Sequence, residues 1–215
     1  MPEAVIVSAA RSPIGRANKG SLVDLRPDDL TAAIIEAALA KVPELDPKTI
    51  DDHYLGCGLP GGESGNNMAR VVNVLLGLDE VPGATITRYC SSSVQTTRMA
   101  FHAIKAGEGD IFVSAGVECV SRYKKFAGAG GGAEDVKNPL FADAEARSVE
   151  TAKTNATWTD PREQGLLPDV YLAMGQTAEN VATSRGVTRA EQDAWGVESQ
   201  NRAEKAIADG FFARE

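Results

Sequence analysis

The sequence predicts an α/β protein whose parallel sheet is covered by helices on both faces. Short β-branched runs alternate with helical patterns along the first half of the chain, and Gly- or Pro-rich turns separate them. The runs are apolar throughout instead of alternating with polar residues, as is typical of strands buried on both faces. Hydrophobic residues make up 43% of the 215 residues, which is enough to form a core.

The elements of the first half follow one another in a regular order. A first strand is predicted in the β-branched run at 5–9, before the Pro- and Gly-containing turn that follows it. Pro27 suits the first turn of a helix, and Asp28 and Asp29 suit its N-terminal dipole. Gly107 and Gly109 end the last helix of this half. The further predicted strands and helices are, in order, strand 52–57, helix 67–76, strand 83–87, helix 91–106 and strand 110–116.

The character of the chain changes after about Ser121. The stretch that follows is polar, contains several prolines and shows little periodicity, so we predict no regular structure before the last two helices. The final helix begins at Thr188, where Glu191 three residues later completes a capping-box pattern. We therefore expect a core layer in residues 1–120 and a looser excursion in 121–215.

The chain supplies fewer strands than a core of this kind needs. Its last five residues, 211–215 (FFARE), also begin with the adjacent aromatic residues Phe211 and Phe212, just after Gly210 has stopped a helix. An apolar pair is unusual at a natural terminus. These features predict a truncated or cleaved chain.

Charge and composition exclude several classes of protein. The formal net charge of −8 comes from 22 Lys and Arg against 30 Asp and Glu, so nucleic acid is not an expected partner. No targeting signal and no run of about 18–20 apolar residues is present, so no membrane span is predicted. Cys57, Cys90 and Cys119 lack the spacing of a disulfide framework or metal site, which favours a reduced, cytoplasmic protein without a metal.

Cys90 is the strongest candidate for a reactive residue. It lies where a buried strand meets the N-terminus of a helix, and the free N–H groups and dipole of a helix N-terminus favour a thiolate. The same N–H groups suit an oxyanion on a bound carbonyl group. The alternative from spacing alone is a buried structural cysteine.

A base for Cys90 is harder to find in this sequence. His102 lies about 18 Å along the predicted helix from Cys90, at 1.5 Å per residue, so it is not a direct partner. His53 lies early in its strand, away from the carboxyl edge where such sheets bind ligands. We expect both to be packing or surface residues, and Cys57 and Cys119 to be structural.

Two further features leave alternatives open. The Gly-rich segment 58–65 lacks the Lys of a P-loop and the order of a dinucleotide-binding turn, so we interpret it as a plain turn. Arg122, Lys124 and Lys125 form a basic cluster that is either a solvated charge run or a site of attraction for ligand phosphates.

Segments in fixed order resemble the motifs of one family, the thiolases. The segment around Cys90 resembles the nucleophile motif NxxCxSG. Together the resemblances extend over the whole chain. They are 11–15 (RSPIG) with Gly20 for RTPxG, 65–70 (GNNMAR) for GxNxAR, 87–93 (TRYCSSS) for NxxCxSG, 114–121 (SAGVECVS) for AGGxExMS, and 174–180 (MGQTAEN) for MGxTAEN.

The resemblance implies a fold and a set of roles. Thiolases, which include acetyl-CoA acetyltransferases and 3-ketoacyl-CoA thiolases, have two similar βαβαβ halves of layered, mostly parallel mixed sheet, with a loop domain inserted after the first. Residues 1–120 match the first half and 121–215 an incomplete loop domain, and the C-terminal half is absent from this chain. Cys90 is implied to be the acylated nucleophile. The family's catalytic His, in a GHP motif, and its second Cys, in a CxGG motif, belong to the absent half, and neither motif occurs here.

The resemblance also implies partners and shows departures. Coenzyme A and acyl-CoA are expected as substrate and product, with no cofactor, and a homodimer or homotetramer is expected. Thr87 and Ser93 replace the usual Asn and Gly, and Ser93 is predicted to narrow the approach to the cysteine. Ala173 replaces a frequent His. Met174 is retained as a candidate wall of the substrate pocket.

The expected reaction is reversible condensation or thiolytic cleavage of 3-oxoacyl-CoA through an S-acyl-Cys90 intermediate, in fatty acid and lipid metabolism. One alternative is a condensing enzyme of the ketoacyl-synthase type. Another is a non-catalytic acyl-CoA-binding or assembly subunit. We expect the 215-residue chain to be inactive alone because base and second cysteine are missing.

Overall fold

Three parallel strands form a sheet in the part of the chain that the structure, a computed structural model, describes: residues 2–122, 137–154 and 156–214. These are β1 (Asp52–Gly56), β2 (Gly83–Ile86) and β3 (Phe112–Gly116), in the spatial order β2-β1-β3. Central β1 pairs with both neighbours, so His53 lies opposite Gly83 on one side and Val113 on the other. The predicted α/β class with a parallel sheet is confirmed.

Helices connect these strands and cover the sheet. They are α1 (Pro27–Leu39), α2 (Met68–Leu75) between β1 and β2, and α3 (Ser92–Ala106) between β2 and β3. As predicted, Pro27 opens α1 and a left-handed Gly107 ends α3. The main buried cluster brings together α1, β1 and α2 through six residues, which are Ile35, Leu55, Cys57, Met68, Ala69 and Val72.

The buried side of α2 is not purely apolar. Met68 and Val72 are buried, but Leu75 is 53% exposed, and the polar Asn73 is buried. Asn73 is satisfied there because its amide group donates hydrogen bonds to the carbonyl groups of Val81 and Pro82. A polar side chain thus takes a core position by bonding the turn before β2, which periodicity of apolar residues does not indicate.

The strand predicted at 5–9 does not form. This segment has no regular secondary structure, and Val5, Ile6 and Val7 are exposed. It is held by side chains alone, since Ser8 donates to the carbonyl of Ala38 and Lys41 to that of Ala9. The prediction was wrong because a β-branched run becomes a strand only when a neighbouring strand accepts its backbone hydrogen bonds, and no described strand pairs with it.

The described residues divide into two compact units, and the second lies within 137–214. It contains the helices α4 (Ala142–Thr154), α5 (Met174–Arg185) and α6 (Arg189–Ala208). The predicted capping box is present at Thr188 and Glu191. Helix α4 was not predicted, because it is polar and buries only Ala144. The predicted domain boundary at residue 120 stays a prediction. None of the described helices is long and apolar enough to cross a membrane.

Candidate active site around Cys90

Cys90 lies in the turn that joins β2 to α3, as the sequence predicted, and this turn is called the Cys90 turn below (residues 87–91). The turn follows the carboxyl end of β2, and α3 begins two residues after Cys90. Cys90 is exposed, whereas Cys57 is buried and Cys119 is partly buried. The exposed cysteine is therefore at the edge of the sheet where parallel α/β sheets place their ligands.

The backbone of the Cys90 turn is strained at Tyr89. This residue has a φ of +46°, in the left-handed region that L-residues other than Gly, Asn and Asp rarely adopt. The hydroxyl group of Ser92 bonds the backbone on both sides of Tyr89: it accepts from the N–H of Arg88 at 2.9 Å and donates to the carbonyl of Tyr89 at 2.6 Å. Ser92 is 4% exposed, so water does not replace these bonds.

The first turn of α3 supplies free N–H donors next to Cys90. The N–H of Gln95 bonds the carbonyl of Ser91, which starts the helical ladder. Among the described residues, the N–H groups of Ser93 and Val94 have no hydrogen-bond partner. Free donors at a helix N-terminus favour an anion, either a thiolate or the oxyanion of a bound thioester.

Two glycines allow α3 to begin this close to the sheet. Gly56 and Gly116 are paired residues at the ends of β1 and β3. A Cβ atom on Gly56 would lie 2.8 Å from the carbonyl carbon of Ser92, and one on Gly116 would overlap the Ser93 hydroxyl group. Ser93, which the sequence predicted to narrow the approach to the cysteine, thus rests its side chain on the end of β3. Its effect on substrate entry stays a prediction.

The loops after the three strands are bonded to one another beside the Cys90 turn. Glu118, after β3, accepts the N–H of Gly58 at 2.8 Å. The carbonyl of the same Gly58, after β1, accepts the hydroxyl of Thr87 at 2.9 Å. Thr87 stands where the family usually has Asn, and its hydroxyl gives it a definite role as a donor across this edge.

The segment 65–70 holds β2 in place. Asn67 donates to the carbonyl of Gly83 and accepts the N–H of Thr85. Arg70 donates to the carbonyls of Asp79 and Val81, just before the strand. The segment therefore acts on the strand that leads into the Cys90 turn.

The other two cysteines lie in surroundings that disfavour a thiolate. Burial raises the pKa of the Cys57 thiol, and the nearby Glu118 carboxylate raises it further. Burial also raises the pKa of Cys119, with Arg122 opposing the effect. Both remain neutral thiols near pH 7, as expected of structural cysteines.

No histidine of this chain is placed to serve Cys90. His53 is 1% exposed within the core, where its Nδ1 lies 2.7 Å from Oδ1 of Asn73. His102 is exposed near the C-terminal end of α3, beside Phe101. The described residues also contain no group of three or more His, Cys, Asp or Glu that could hold a metal ion.

The basic cluster of the sequence is only partly described. Arg122 forms an ion pair with Glu63 and donates a hydrogen bond to the carbonyl of Asp24. Glu63 also pairs with Arg26, at 2.9 Å. The guanidinium group of Arg122 is thus used within the unit instead of being left for a ligand phosphate. Lys124 and Lys125 lie outside the described residues.

Comparison with known proteins identifies the family. The family model for the N-terminal domain of thiolase matches residues 4–215, nearly the whole chain. The chain belongs to the thiolase family.

Thiolases of several bacteria are similar to it. A 3-ketoacyl-CoA thiolase of Bacillus subtilis is 38% identical over 216 residues, and a β-ketoadipyl-CoA thiolase of Pseudomonas knackmussii is 37% identical. The alignments cover 100% and 99% of this chain but 48% and 50% of the relatives, so the chain spans about half their length. The crystal structure of the Bacillus anthracis acetyl-CoA acetyltransferase matches 98% of this chain and 49% of its own, with a TM-score of 0.70 and 27% identity.

The thiolase motifs account for most of the residues described around Cys90. Sequence reasoning found Cys90 itself but missed the bonds of Ser92, the close approach at Gly56 and Gly116, and the carboxylate of Glu118. Two strands that each end in Gly were a usable signal for a helix lying against the strand ends. Met174, the candidate pocket wall, is 74% exposed at the start of α5 in the second unit, and its role stays a prediction.

Proposed function

We propose that the full-length protein is a thiolase that transfers acyl groups to and from coenzyme A through an S-acyl-Cys90 intermediate. The observation that supports this most is an exposed Cys90 two residues before the start of α3, whose Ser93 and Val94 N–H groups have no partner among the described residues, in a chain of the thiolase family. The relatives are named for different acyl groups, so the proposal concerns the 3-oxoacyl-CoA thioester and not one acyl chain.

The first half-reaction follows from the chemistry of these groups. The Cys90 thiolate attacks the thioester carbonyl carbon of an acyl-CoA, the carbonyl π electrons move to oxygen, and the oxyanion is stabilised by N–H donors. When the C=O bond re-forms, the bond to the CoA sulfur breaks, and CoA leaves as a thiolate. One thioester replaces another, so this step is close to neutral in free energy and reversible.

The second half-reaction releases the acyl group. In synthesis, the deprotonated α-carbon of a second acyl-CoA attacks the acyl-Cys90 carbonyl, Cys90 leaves as a thiolate, and a 3-oxoacyl-CoA forms. In degradation, the Cys90 thiolate first attacks the 3-oxo carbon of a 3-oxoacyl-CoA, the bond between the 2- and 3-carbons breaks, and the departing α-carbon takes a proton to give a shorter acyl-CoA. The sulfur of free CoA then attacks the acyl-Cys90 carbonyl, and Cys90 again leaves as a thiolate. Both directions need a base that takes a proton from the attacking group. We propose that the base and a second cysteine lie in a C-terminal half of the kind that this family contains, and that the protein is a homo-oligomer.

Intact-mass spectrometry of the full-length protein after incubation with acetyl-CoA tests the proposal. We expect the mass to increase by one acetyl group on Cys90, and we expect Cys90→Ala to abolish the increase. Cys57→Ala serves as the matched control, because that buried thiol is neutral, and it should leave the acetylation intact. An unmodified Cys90 in a protein that still binds CoA would contradict the proposal and favour a non-catalytic acyl-CoA-binding subunit.

A further inference from the structure

Ser92 has contacts that its position in the helix does not require. A residue in the first turn of a helix needs no side-chain bonds to the chain before it, and the residue at the N-cap, Ser91, makes no side-chain cap bond here. The Ser92 hydroxyl nevertheless uses both its acceptor and its donor capacity on the Cys90 turn, at Arg88 and at Tyr89. Its backbone N–H bonds the Tyr89 carbonyl as well, at 3.1 Å.

These three bonds act on one strained residue. A left-handed conformation at a tyrosine is unfavourable, so the Cys90 turn would relax toward φ below zero unless other contacts opposed it. The Arg88 N–H and the Tyr89 carbonyl lie on either side of the strained dihedral angles. Holding both groups with one buried oxygen therefore fixes the conformation of Tyr89, and Cys90 follows it directly in the chain.

The Ser92 oxygen is itself held in place by packing. The Cβ atom and carbonyl carbon of Ser92 lie against Gly56, at the end of the central strand. The side chain is therefore anchored to the sheet, which is the rigid part of this unit, while its hydroxyl reaches the turn. The backbone that carries Cys90 is therefore fixed in its orientation relative to the sheet.

We infer that Ser92 is a positioning residue for Cys90: its buried hydroxyl keeps Tyr89 left-handed and so directs the Cys90 sulfur toward the N-terminus of α3. The inference deepens the proposed function and rests on it for the chemistry of Cys90. Its structural part, the control of Cys90 reactivity by Ser92, is measurable whether or not the thiol accepts an acyl group.

The test uses the full-length protein and two reagents. Iodoacetamide reports the intrinsic reactivity of the Cys90 thiol near pH 7, and acetyl-CoA reports acyl transfer to it. Ser92→Ala removes the hydroxyl and keeps the Cβ atom that packs on Gly56. We expect the acylation of Cys90 to slow about tenfold or more, and alkylation to slow about fivefold, because the sulfur is no longer held beside the helix donors.

Two further variants make the result specific. Ser91→Ala deletes a neighbouring hydroxyl that bonds nothing in the cap, and we expect both rates to stay within about twofold of those of the unchanged protein. Adding Tyr89→Asn to Ser92→Ala should restore both rates to within about threefold, because Asn adopts left-handed conformations readily. If Ser92 only stabilised the fold, adding Tyr89→Asn would not restore the reactivity of Cys90.

The outcomes separate the two proposals. An unchanged alkylation rate in Ser92→Ala, equal slowing in Ser91→Ala, or failure of Tyr89→Asn to restore the rate would each overturn the role of Ser92. If Ser92→Ala does not fold, the double variant with Ser92→Ala and Tyr89→Asn provides the test. Alkylation of Cys90 more than about fivefold slower in it than in the unchanged protein would overturn the inference. If Cys90 is never acylated but its alkylation depends on Ser92, the proposed function is contradicted and the inference about Ser92 is supported.

Discussion

The three cysteines of this chain differ in what surrounds each sulfur. Cys57 is buried beside the carboxylate of Glu118, and Cys119 is partly buried, so both thiols are held in the neutral form. Cys90 is exposed at the start of a helix. The sequence pointed to Cys90 because a strand pattern ends just before it and a helix pattern begins just after it.

His53 gives the fold a dependence on pH. Asn73 uses its amide hydrogens on two carbonyls, so its Oδ1 is the acceptor and Nδ1 of His53 the donor. Nε2 of His53 then carries the lone pair and is buried. Burial has the largest effect and lowers the pKa of His53 from its ordinary value of 6.5, and the bond to Asn73, the backbone of Ala69 and the Asp52 carboxylate oppose this only in part.

The sign of the effect follows from proton linkage. Below the ordinary pKa of 6.5 the unfolded chain binds a proton that folded His53 resists, so stability is present above that pH and is lost as pH falls toward the lower folded pKa. We expect the free energy of unfolding to fall as the pH is lowered from about 7.5 to 5 on account of His53. Urea unfolding at several pH values measures this.

A matched pair of variants isolates the contribution of His53. His53→Gln removes the titrating group. It should therefore remove the part of the pH dependence of the free energy of unfolding that one such group contributes between about pH 5 and 7. His102→Gln removes the exposed histidine and serves as the matched control. If the two variants gave the same slope, another group would have to account for the loss of stability.

At the scale of elements, the contact between α3 and the sheet depends on Gly56 and Gly116. The hydroxyls of Thr96 and Thr97 reinforce it, since both lie within hydrogen-bond distance of the carbonyl of Ser93 and of the hydroxyl of Ser114 in β3. The helix start is thus bonded to β3 and packed against the backbones of β1 and β3. Larger side chains at the two strand ends would push away the turn that carries Cys90.

Gly116→Ala tests this contact. Its methyl group would overlap the Ser93 side chain, so we expect the free energy of unfolding to fall by about 1–3 kcal/mol. We also expect the rate of Cys90 alkylation to change, because the turn that carries Cys90 is displaced. Gly61→Ala is the control, because no atom lies within 4 Å of the added Cβ and its backbone φ is −127°. Equal effects of the two substitutions would mean that the close approach at Gly116 does not govern the helix.

Helix α6 offers an independent test in the second unit. Thr188 and Glu191 exchange the bonds of a capping box, and the helix buries none of its residues, so the cap contributes a large share of its local stability. Thr188→Ala should lower the free energy of unfolding of this unit by about 1 kcal/mol and reduce helicity by circular dichroism. Thr188→Ser keeps the hydroxyl and should preserve both; a loss as large as that of Thr188→Ala would argue against the cap.

The elements differ in how well the sequence predicts them, for physical reasons. β1, β2, β3 and α3 begin or end within about two residues of prediction, because their apolar runs and Gly stops record burial and chain reversal directly. The strand at 5–9 failed because pairing is not a local property. Helix α4 was missed because its residues face solvent and carry no apolar period.

The site is predictable only in part, for a related reason. Cys90 and the motif around it are local in sequence, and the family resemblance was confirmed. The contacts of Gly58 with Thr87 and Glu118 join loops that are 29 and 60 residues apart along the chain. They exist only because the three strands lie side by side in the order β2-β1-β3. No pattern within one segment records that order.

At the largest scale, the chain carries a candidate nucleophile, and neither of its two histidines lies beside it. The sequence contains neither a GHP nor a CxGG motif, and the two histidines are the core residue His53 and the exposed His102. We expect the purified 215-residue chain to cleave no 3-oxoacyl-CoA, because the incoming CoA thiol is not deprotonated. A spectrophotometric assay of thiolysis measures this, with the full-length protein as the positive control. Turnover by the chain alone would refute the expectation.

The central position of β1 has a consequence during synthesis on the ribosome. Asp52–Gly56 is made first, yet its neighbours on both sides come later, after α2 and after α3. Its apolar residue Leu55 is fully buried in the folded unit. During synthesis, however, β1 can pair on one edge only after Gly83–Ile86 has emerged, and on the other edge only after the chain has been made as far as Gly116. For that interval the emerging polypeptide presents a bare strand, the state in which chaperones are most useful and aggregation begins most easily.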